Sequence, residues 1–303
     1  LNQTKGFSYL STHVGQVPAL SAALKSLTNV TVLAPSDIAL RLFPWDPRYE
    51  ELEDSDIDYF QALIGYHIIN GVYDNLTESF APYQTAVRSA PWTTLPGGQV
   101  VMGRYDYRTF ETAFFGGRDT LAQAPVQMKF SGGVVYAIDD VLNIPRGLTA
   151  ELTDPAVNTV NGTRFITALG QAGLLDEVEN LKEATYFVPT DEAFKAVEKS
   201  IYGLSKEELA AVLRYHIIDG KALYSPSVKN GTTFKTLQGQ DVKINQQRRL
   251  FVQNARIMKT DVLTKNGVVH MIDNVLSPEF TPKAQNATQN AGEPAFPVGP
   301  GFY

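Results

Sequence analysis

The sequence predicts an α+β protein built from two tandem copies of one domain. A repeat is the first sign of it: Tyr66-His67-Ile68-Ile69-Asn70-Gly71 recurs almost letter for letter as Tyr215-His216-Ile217-Ile218-Asp219-Gly220. The flanking blocks recur in the same order, Thr31–Leu40 answering to Thr185–Phe194 and Val134–Leu142 to Val268–Leu276. Each copy also opens with helix-period segments and passes into short apolar and period-two segments, the pattern of helices packed on sheet. Two copies fit adjacent domains, whereas a solenoid needs more repeats. The length of 303 residues points to two domains independently.

Taken in order, Leu20, Ala23, Leu24 and Leu27 keep the i, i+3, i+4, i+7 spacing of an amphipathic helix, and a short apolar strand follows over Val30–Ala34. The second copy repeats this with Phe165, Ala168, Leu169 and Ala172, then Tyr186–Val188. Pro35 or Pro189 stops the strand, and Ser36-Asp37 or Thr190-Asp191 is placed to cap the helix that comes next. A capping box, Ser205 with Glu208, opens the helix before the second Tyr-His block, and Ser55 with Asp58 is a looser version in the first. Gly-punctuated strands such as Val242–Ile244 and Leu250–Val252 come after it.

Spacing separates the copies. Pro35 to Tyr66 is 31 positions against 26 from Pro189 to Tyr215, and Tyr66 to Val134 is 68 against 53 from Tyr215 to Val268. The first domain therefore carries insertions, the largest between residues 73 and 130. We expect a first domain over 1–147, a second over 148–281 and a Pro/Gly-rich tail over 282–303, with Pro145-Arg146-Gly147 as the hinge. Nothing at that hinge predicts a long linker, so the domains are expected to sit close together. Within the tail, Phe296, Phe302 and Tyr303 are expected to pack against a domain or a neighbouring chain.

A formal charge of −6 argues against a nucleic-acid partner, and the adjacent basic pair Arg248-Arg249 reads as a solvated turn. No apolar run is long enough to cross a bilayer, and the start at Leu1 is what a trimmed mature protein would show. Six sequons stand at Asn2, Asn29, Asn75, Asn161, Asn230 and Asn286. Roughly two are expected from the Ser/Thr content, so the excess predicts a secreted, N-glycosylated protein. The absence of cysteine rules out disulfides and thiol chemistry, leaving stability to the two cores.

These blocks resemble the fasciclin-type (FAS1) domain, and the chain up to about Thr281 resembles a tandem FAS1 protein of the secreted fungal type. Thr31–Leu40 is similar to that family's opening segment, the Tyr-His block to its central motif, and Val268–Leu276 to its closing one. The resemblance implies a β-sandwich or wedge core with flanking α-helices in each copy. It implies structural roles for Pro35, Asp37, Tyr66, His67, Pro189, Asp191, Tyr215, His216 and His270, with His67 and His216 hydrogen-bonded inside their domains. The first domain departs from the pattern by placing Tyr136 opposite His270. The family spans adhesion, matrix and wall-associated proteins and a few pigment binders. It therefore implies a non-catalytic extracellular glycoprotein of the cell surface, matrix or wall that meets a protein or glycan partner. The alternative is a binder or auxiliary protein for an aromatic, polyketide or pigment ligand, working with an oxidase partner in a fungal pathway.

No compact motif indicates catalysis, a cofactor or a metal. The four histidines lack metal-ligand spacing, and neither a GxSxG elbow, a P-loop nor a GxGxxG fingerprint is present. Asp54-Ser55-Asp56-Ile57-Asp58 fails as a calcium loop because Tyr59 stands where glycine is required, and it reads as an acidic helix start. A dispersed Ser-His-Asp arrangement stays open. The candidate binding residues are Tyr105, Tyr107, Arg108 and Phe110 in the first-domain insertion, with Trp92 close by in sequence. Two readings of that segment stand: rings offered to a sugar, phenol or protein, or rings covering the core beneath an enlarged hairpin.

Overall fold

An early strand pairing in parallel with a late one organises each half of the chain. The computed structural model describes residues 6–42, 54–155, 157, 161–246, 249–279 and 291–297. The chain divides into two units, Leu1–Pro145 and Arg146–Tyr303. In the first unit the order is α1 (Ser8–Gln16), α2 (Pro18–Lys25), β1 (Val30–Pro35), α3 (Asp37–Leu42), α4 (Asp54–Tyr66), β2 (Ile68–Asn70), β3 (Ala81–Gln84), β4 (Val100–Asp106), β5 (Glu111–Phe115), β6 (Leu121–Gln123), β7 (Val126–Phe130) and β8 (Gly133–Ile138). Its strands form two four-stranded sheets, β2-β1-β8-β7 and β3-β4-β5-β6.

The second unit runs α5 (Leu148–Leu152), α6 (Thr163–Ala172), α7 (Leu175–Glu179), β9 (Ala184–Pro189), α8 (Asp191–Ala196), α9 (Glu198–Tyr202), α10 (Lys206–Tyr215), β10 (Ile217–Asp219), β11 (Thr233–Lys235), β12 (Asp241–Gln246), β13 (Leu250–Val252), β14 (Ala255–Thr264) and β15 (Gly267–Ile272). Here one seven-stranded sheet, β10-β9-β15-β14-β13-β12-β11, replaces two. The cause is legible at one position. By register Val126 pairs with Ala137 as Lys259 pairs with Met271, so Pro125 is the counterpart of Met258, where β14 shifts register. Proline has no N–H for a ladder, so the equivalent strand breaks into β6 and β7.

The parallel pairs share one register. Val30 faces Gly133 in β1/β8, and Ala184 faces Gly267 in β9/β15. A Cβ on either glycine would run into the carbonyl of Val30 or Ala184, so the last strand can approach this closely only without one. The Tyr-His segment then adds β2 or β10 antiparallel on the other side of β1 or β9.

Two expectations about helices change. Leu27 lies beyond α2, which ends at Lys25, and Ala23 is exposed; Leu20, Leu24 and Leu27 still pack on the core under α1. The second change concerns Asp37 and Asp191. Ser36 and Thr190 do cap α3 and α8, accepting from Ala39 N and Ala193 N at 3.2 Å each. The aspartates after them reach back to an earlier helix instead, α1 or α6. Asp37 accepts from Tyr9 N at 2.8 Å and from Ser8 N at 3.2 Å, and Asp191 accepts from Arg164 N at 2.9 Å. The reason is a vacancy: Phe7 and Gly162, which open α1 and α6, provide no side-chain cap of their own. The Ser205–Glu208 capping box is formed, while Ser55 falls outside the described side chains.

Part of the tail is bound to the second unit. Gly292 N donates to Asp273 at 2.8 Å, Asn254 Nδ2 donates to Glu293 O at 2.7 Å, and Phe296 packs against the core. Phe302 and Tyr303 fall outside the described residues, as does Arg248. Replacing Asp37 or Asp191 by alanine is expected to cost about 1 kcal/mol, the usual worth of a helix cap, as read by urea unfolding. An unchanged midpoint in both variants would show that these cross-chain caps contribute nothing.

Candidate functional site

The Tyr-His pairs sit where each helix meets its last strand. His67 is buried at the end of α4, its Nδ1 2.8 Å from Leu63 O, while its Nε2 accepts from Leu142 N at 3.1 Å. His216 repeats this at the end of α10, with Val212 O at 2.8 Å and Leu276 N at 2.9 Å. Only the neutral ring with its proton on Nδ1 satisfies both bonds, since Nε2 must accept. Burial holds both imidazoles well below their ordinary value, at about 4, against the opposite pull of the Leu63 and Val212 carbonyls. Tyr66 and Tyr215 fill the core beside them and donate to Val100 O at 2.8 Å and Asp241 O at 3.1 Å. Pro35 and Pro189 end the strands, each facing the last residue of β8 or β15.

Buried threonines complete the frame. Thr31 donates to Gly71 O at 2.8 Å and accepts from Tyr73 N at 2.9 Å, just as Thr185 donates to Lys221 O at 2.7 Å and accepts from Leu223 N at 2.8 Å. Tyr73 and Leu223 are thereby equivalent, which explains the departure at His270. His270 Nε2 lies 2.8 Å from Leu223 O, and Tyr136 donates to Tyr73 O at 2.9 Å. Different side chains therefore bond to the same carbonyl. Burial, with Asp74 and Tyr83 nearby, pushes the Tyr136 phenol up to about 12, so it stays protonated and donating.

Ser225, Asp261 and His270 do come together, yet they do not form a nucleophile and base. The Ser225 hydroxyl donates to Asp261, and the two His270 nitrogens face Leu223 O and Asp261 N. A serine whose proton is given to a carboxylate, beside an imidazole held at both nitrogens by backbone, lacks the Ser–His contact that activates a nucleophile. Among the described residues, no three metal-ligating side chains gather around one point.

The insertion residues divide. Tyr105, the last residue but one of β4, is half-buried against the core, and Tyr107 meets it edge-on at 4.7 Å in the β4–β5 turn. Arg108 N is held by Asp106 at 2.8 Å, and Phe110 adopts a left-handed conformation with φ 59°. Tyr107 is 55% exposed and Phe110 76%. On the strand's other face, Arg104 lies 5.4 Å from the Phe80 ring and 5.9 Å from that of Phe115, a cation–π contact in which Phe80 was not foreseen. Trp92 does not join this group. Gln84 pairs with Val100, so the segment holding Trp92 leaves from the far end of β4, about 20 Å from the tip at strand rise. There its ring packs 5.5 Å from Tyr59 on α4. Asn29, Asn75, Asn161 and Asn230 are all exposed, while Asn2 and Asn286 fall outside the described residues.

A scaffold written twice, with its buried bonds kept and its surface altered, defines a tandem-domain protein. The fasciclin domain family model matches residues 5–145 and 161–278. The chain belongs to the fasciclin-domain family, as a tandem pair of the fungal type. A fasciclin-like arabinogalactan protein of Arthroderma benhamiae is 27% identical over 285 residues, covering 92% of this chain and 65% of its own length. The chain thus spans slightly less than two thirds of that relative. The fasciclin-like arabinogalactan protein elcF of Phaeosphaeria nodorum is 27% identical over 259 residues, 83% of this chain and 78% of its own. Mouse Stabilin-2 is 28% identical over 268 residues, 85% of this chain and 10% of Stabilin-2. Among solved structures, a FAS1 domain pair from the insect cell adhesion molecule fasciclin I aligns over 89% of this chain and 96% of its own, at 18% identity and a TM-score of 0.42.

The two histidines impose a pH dependence whose sign is set by their lowered pKa. The folded state prefers the neutral ring, so their contribution is complete above the unfolded value near 6.5 and is lost as pH falls through about 4. Unfolding free energies from urea titrations between pH 7.5 and 4 are expected to fall by an amount on the order of 3 kcal/mol per histidine across that window. His216→Phe should flatten the second domain's share of this slope while lowering its stability at pH 7.5, because Leu276 N then loses its acceptor.

Proposed function

We propose that this protein is a secreted, N-glycosylated component of the cell surface, extracellular matrix or wall. It acts without catalysis, holding a protein or glycan partner at the tip of the β4–β5 hairpin. One observation carries this reading: Tyr107 and Phe110 stand exposed on a turn whose base is anchored in the core through Tyr105. The hairpin strands run to seven and five residues, against six and three in β12 and β13. Exposed rings on a rigid strand end lose little entropy on contact and can stack on sugar faces, while Arg108 adds a planar donor for hydroxyl or carboxylate groups. The exposed sequons and the likeness to fungal fasciclin-like arabinogalactan proteins support an extracellular setting. Among the described residues, no helix is long and apolar enough to cross a membrane.

The test uses the glycosylated full chain against isolated wall polysaccharide and extracellular-matrix protein. The double variant Tyr107→Ala/Phe110→Ala should bind its partner at least about tenfold more weakly, with stability unchanged within about 0.5 kcal/mol as for exposed positions generally. Full binding by that variant would refute the hairpin as the contact. Endoglycosidase treatment of protein from its native secretory host should lower its mass, and an unchanged mass would remove the secretory part of the reading.

A further inference from the structure

One sheet face is sealed in the second unit and open in the first. The shared register makes Val32 the counterpart of Tyr186, each two residues beyond the partner of the opening glycine. Every position of β9 and β15 is buried, whereas β1 is only half-covered at Val32 and β8 at Val135 and Ala137. In the second unit the Tyr186 ring fills the space under α6 and α7, its hydroxyl 3.2 Å from Val178 O and 2.8 Å from Asn266 Nδ2. The first unit has Gly132 where Asn266 stands. Its first helix is smaller on the same face too. The matching cap bonds at Tyr9 and Arg164 align Leu10 with Phe165, Ser11 with Ile166 and Val14 with Leu169.

The consequence is a cleft of about 620 Å³ between α1, α2 and the β1/β8/β7 face. Small-molecule sites commonly span roughly 300–1,000 Å³. Its walls are mainly aliphatic, formed by residues such as Val14, Leu24, Val32, Ile68, Met128 and Val135, with Phe130 as an aromatic ring beside them. His67 lines it as well, but both ring nitrogens are bonded to backbone, so it offers a ligand only carbon. Charged groups stand at the exposed margin, where Lys25 and Lys129 contribute, while Ser11 lines the cleft half-buried on α1. Lys129 is tied to Asp74 at 2.8 Å, and Lys25 brings a further positive charge to a chain of net charge −6.

We propose that this cleft binds one long-chain carboxylate of the fatty-acid kind, its tail along Val14, Val32 and Val135 and its head at Lys25. An aliphatic chain gains from leaving water at every methylene, and a charged head needs a cation at the mouth rather than a polar group within. The site is separate from the hairpin proposed to meet the partner, so either can fail without the other.

The experiment titrates the full chain with cis-parinaric acid, a fluorescent long-chain carboxylate, with palmitate and methyl palmitate as competitors. Saturable binding of one probe per chain is expected, with palmitate competing at least about tenfold better than its methyl ester, a difference of about 1.4 kcal/mol. Val32→Tyr, which supplies the ring found in the second unit, should weaken binding at least about tenfold without lowering the melting temperature. Lys25→Glu should weaken palmitate and leave the methyl ester unchanged, and Ser11→Ile provides a second filling variant should Val32→Tyr not fold. Tyr107→Ala/Phe110→Ala should bind the probe as the parent does. No saturable binding, or binding unaltered by both a folded filling variant and Lys25→Glu, would overturn the proposal.

Discussion

The parallel pairing of the first strand with the last is the constraint on which each domain depends. Val30 and Gly133 are partners separated by 103 positions, and Ala184 and Gly267 by 83. A parallel pair cannot be closed by a tight turn, so everything between the two strands is in effect one long crossover. Its loop-closure entropy must be offset by burial, which is complete along β9 and β15, whereas β8 alternates between buried and half-covered residues. The Tyr-His segment secures the seam. Its helix ends, its short strand pairs beside β1 or β9, and its imidazole accepts from the chain just beyond β8 or β15. One histidine therefore connects three parts, its neutral ring tying the helix end to the closing segment and its backbone carbonyl accepting from Leu33 N or Phe187 N of the middle strand.

What the sequence reveals follows from which of these features are local. Apolar strands stopped by Pro35 and Pro189, the Ser205 capping box and the buried stripe Phe165, Ala168, Leu169 and Ala172 all declare themselves within a few residues. The partner of a carboxylate does not. Asp37 and Asp191 stand next to helices they could cap, yet they serve helices that begin far upstream, because those helices open on Phe7 and Gly162. The one local hint is that Ser36 and Thr190 already occupy the capping place, which leaves the following aspartate for other work. Trp92 shows the converse error, since nearness in sequence placed it with Tyr105 although a strand's length carries the two apart. Pro125 stands plainly in the sequence, but its link to one sheet becoming two shows only once it is placed at the register shift of the equivalent strand.

Comparing the copies separates two kinds of change. At His270 and Tyr136 the residue differs and the bond to the equivalent carbonyl remains, so the substitution preserves the frame. At Tyr186 and Val32 the residue differs and the filling is lost. The first is what drift under a structural constraint produces. The second leaves a void that a packed core would not tolerate without cost, since missing side-chain volume forfeits contact with every neighbour.

That cost is borne by the domain that also carries the longer hairpin. The second domain has its sheet face sealed by Tyr186 and its surface crossed by residues 291–297, which bond to Asp273 and Asn254. The first has an open cleft beneath its helices and exposed rings at its hairpin tip. A duplicated domain allows this division, because one copy can supply stability while the other departs from close packing. Recognition surfaces usually cost stability where they form, and a stable covalent neighbour does not remove that cost from the domain that bears it. The first domain should therefore be the one whose folding is marginal, and any ligand or partner that binds it selectively would raise its stability more visibly than that of its twin.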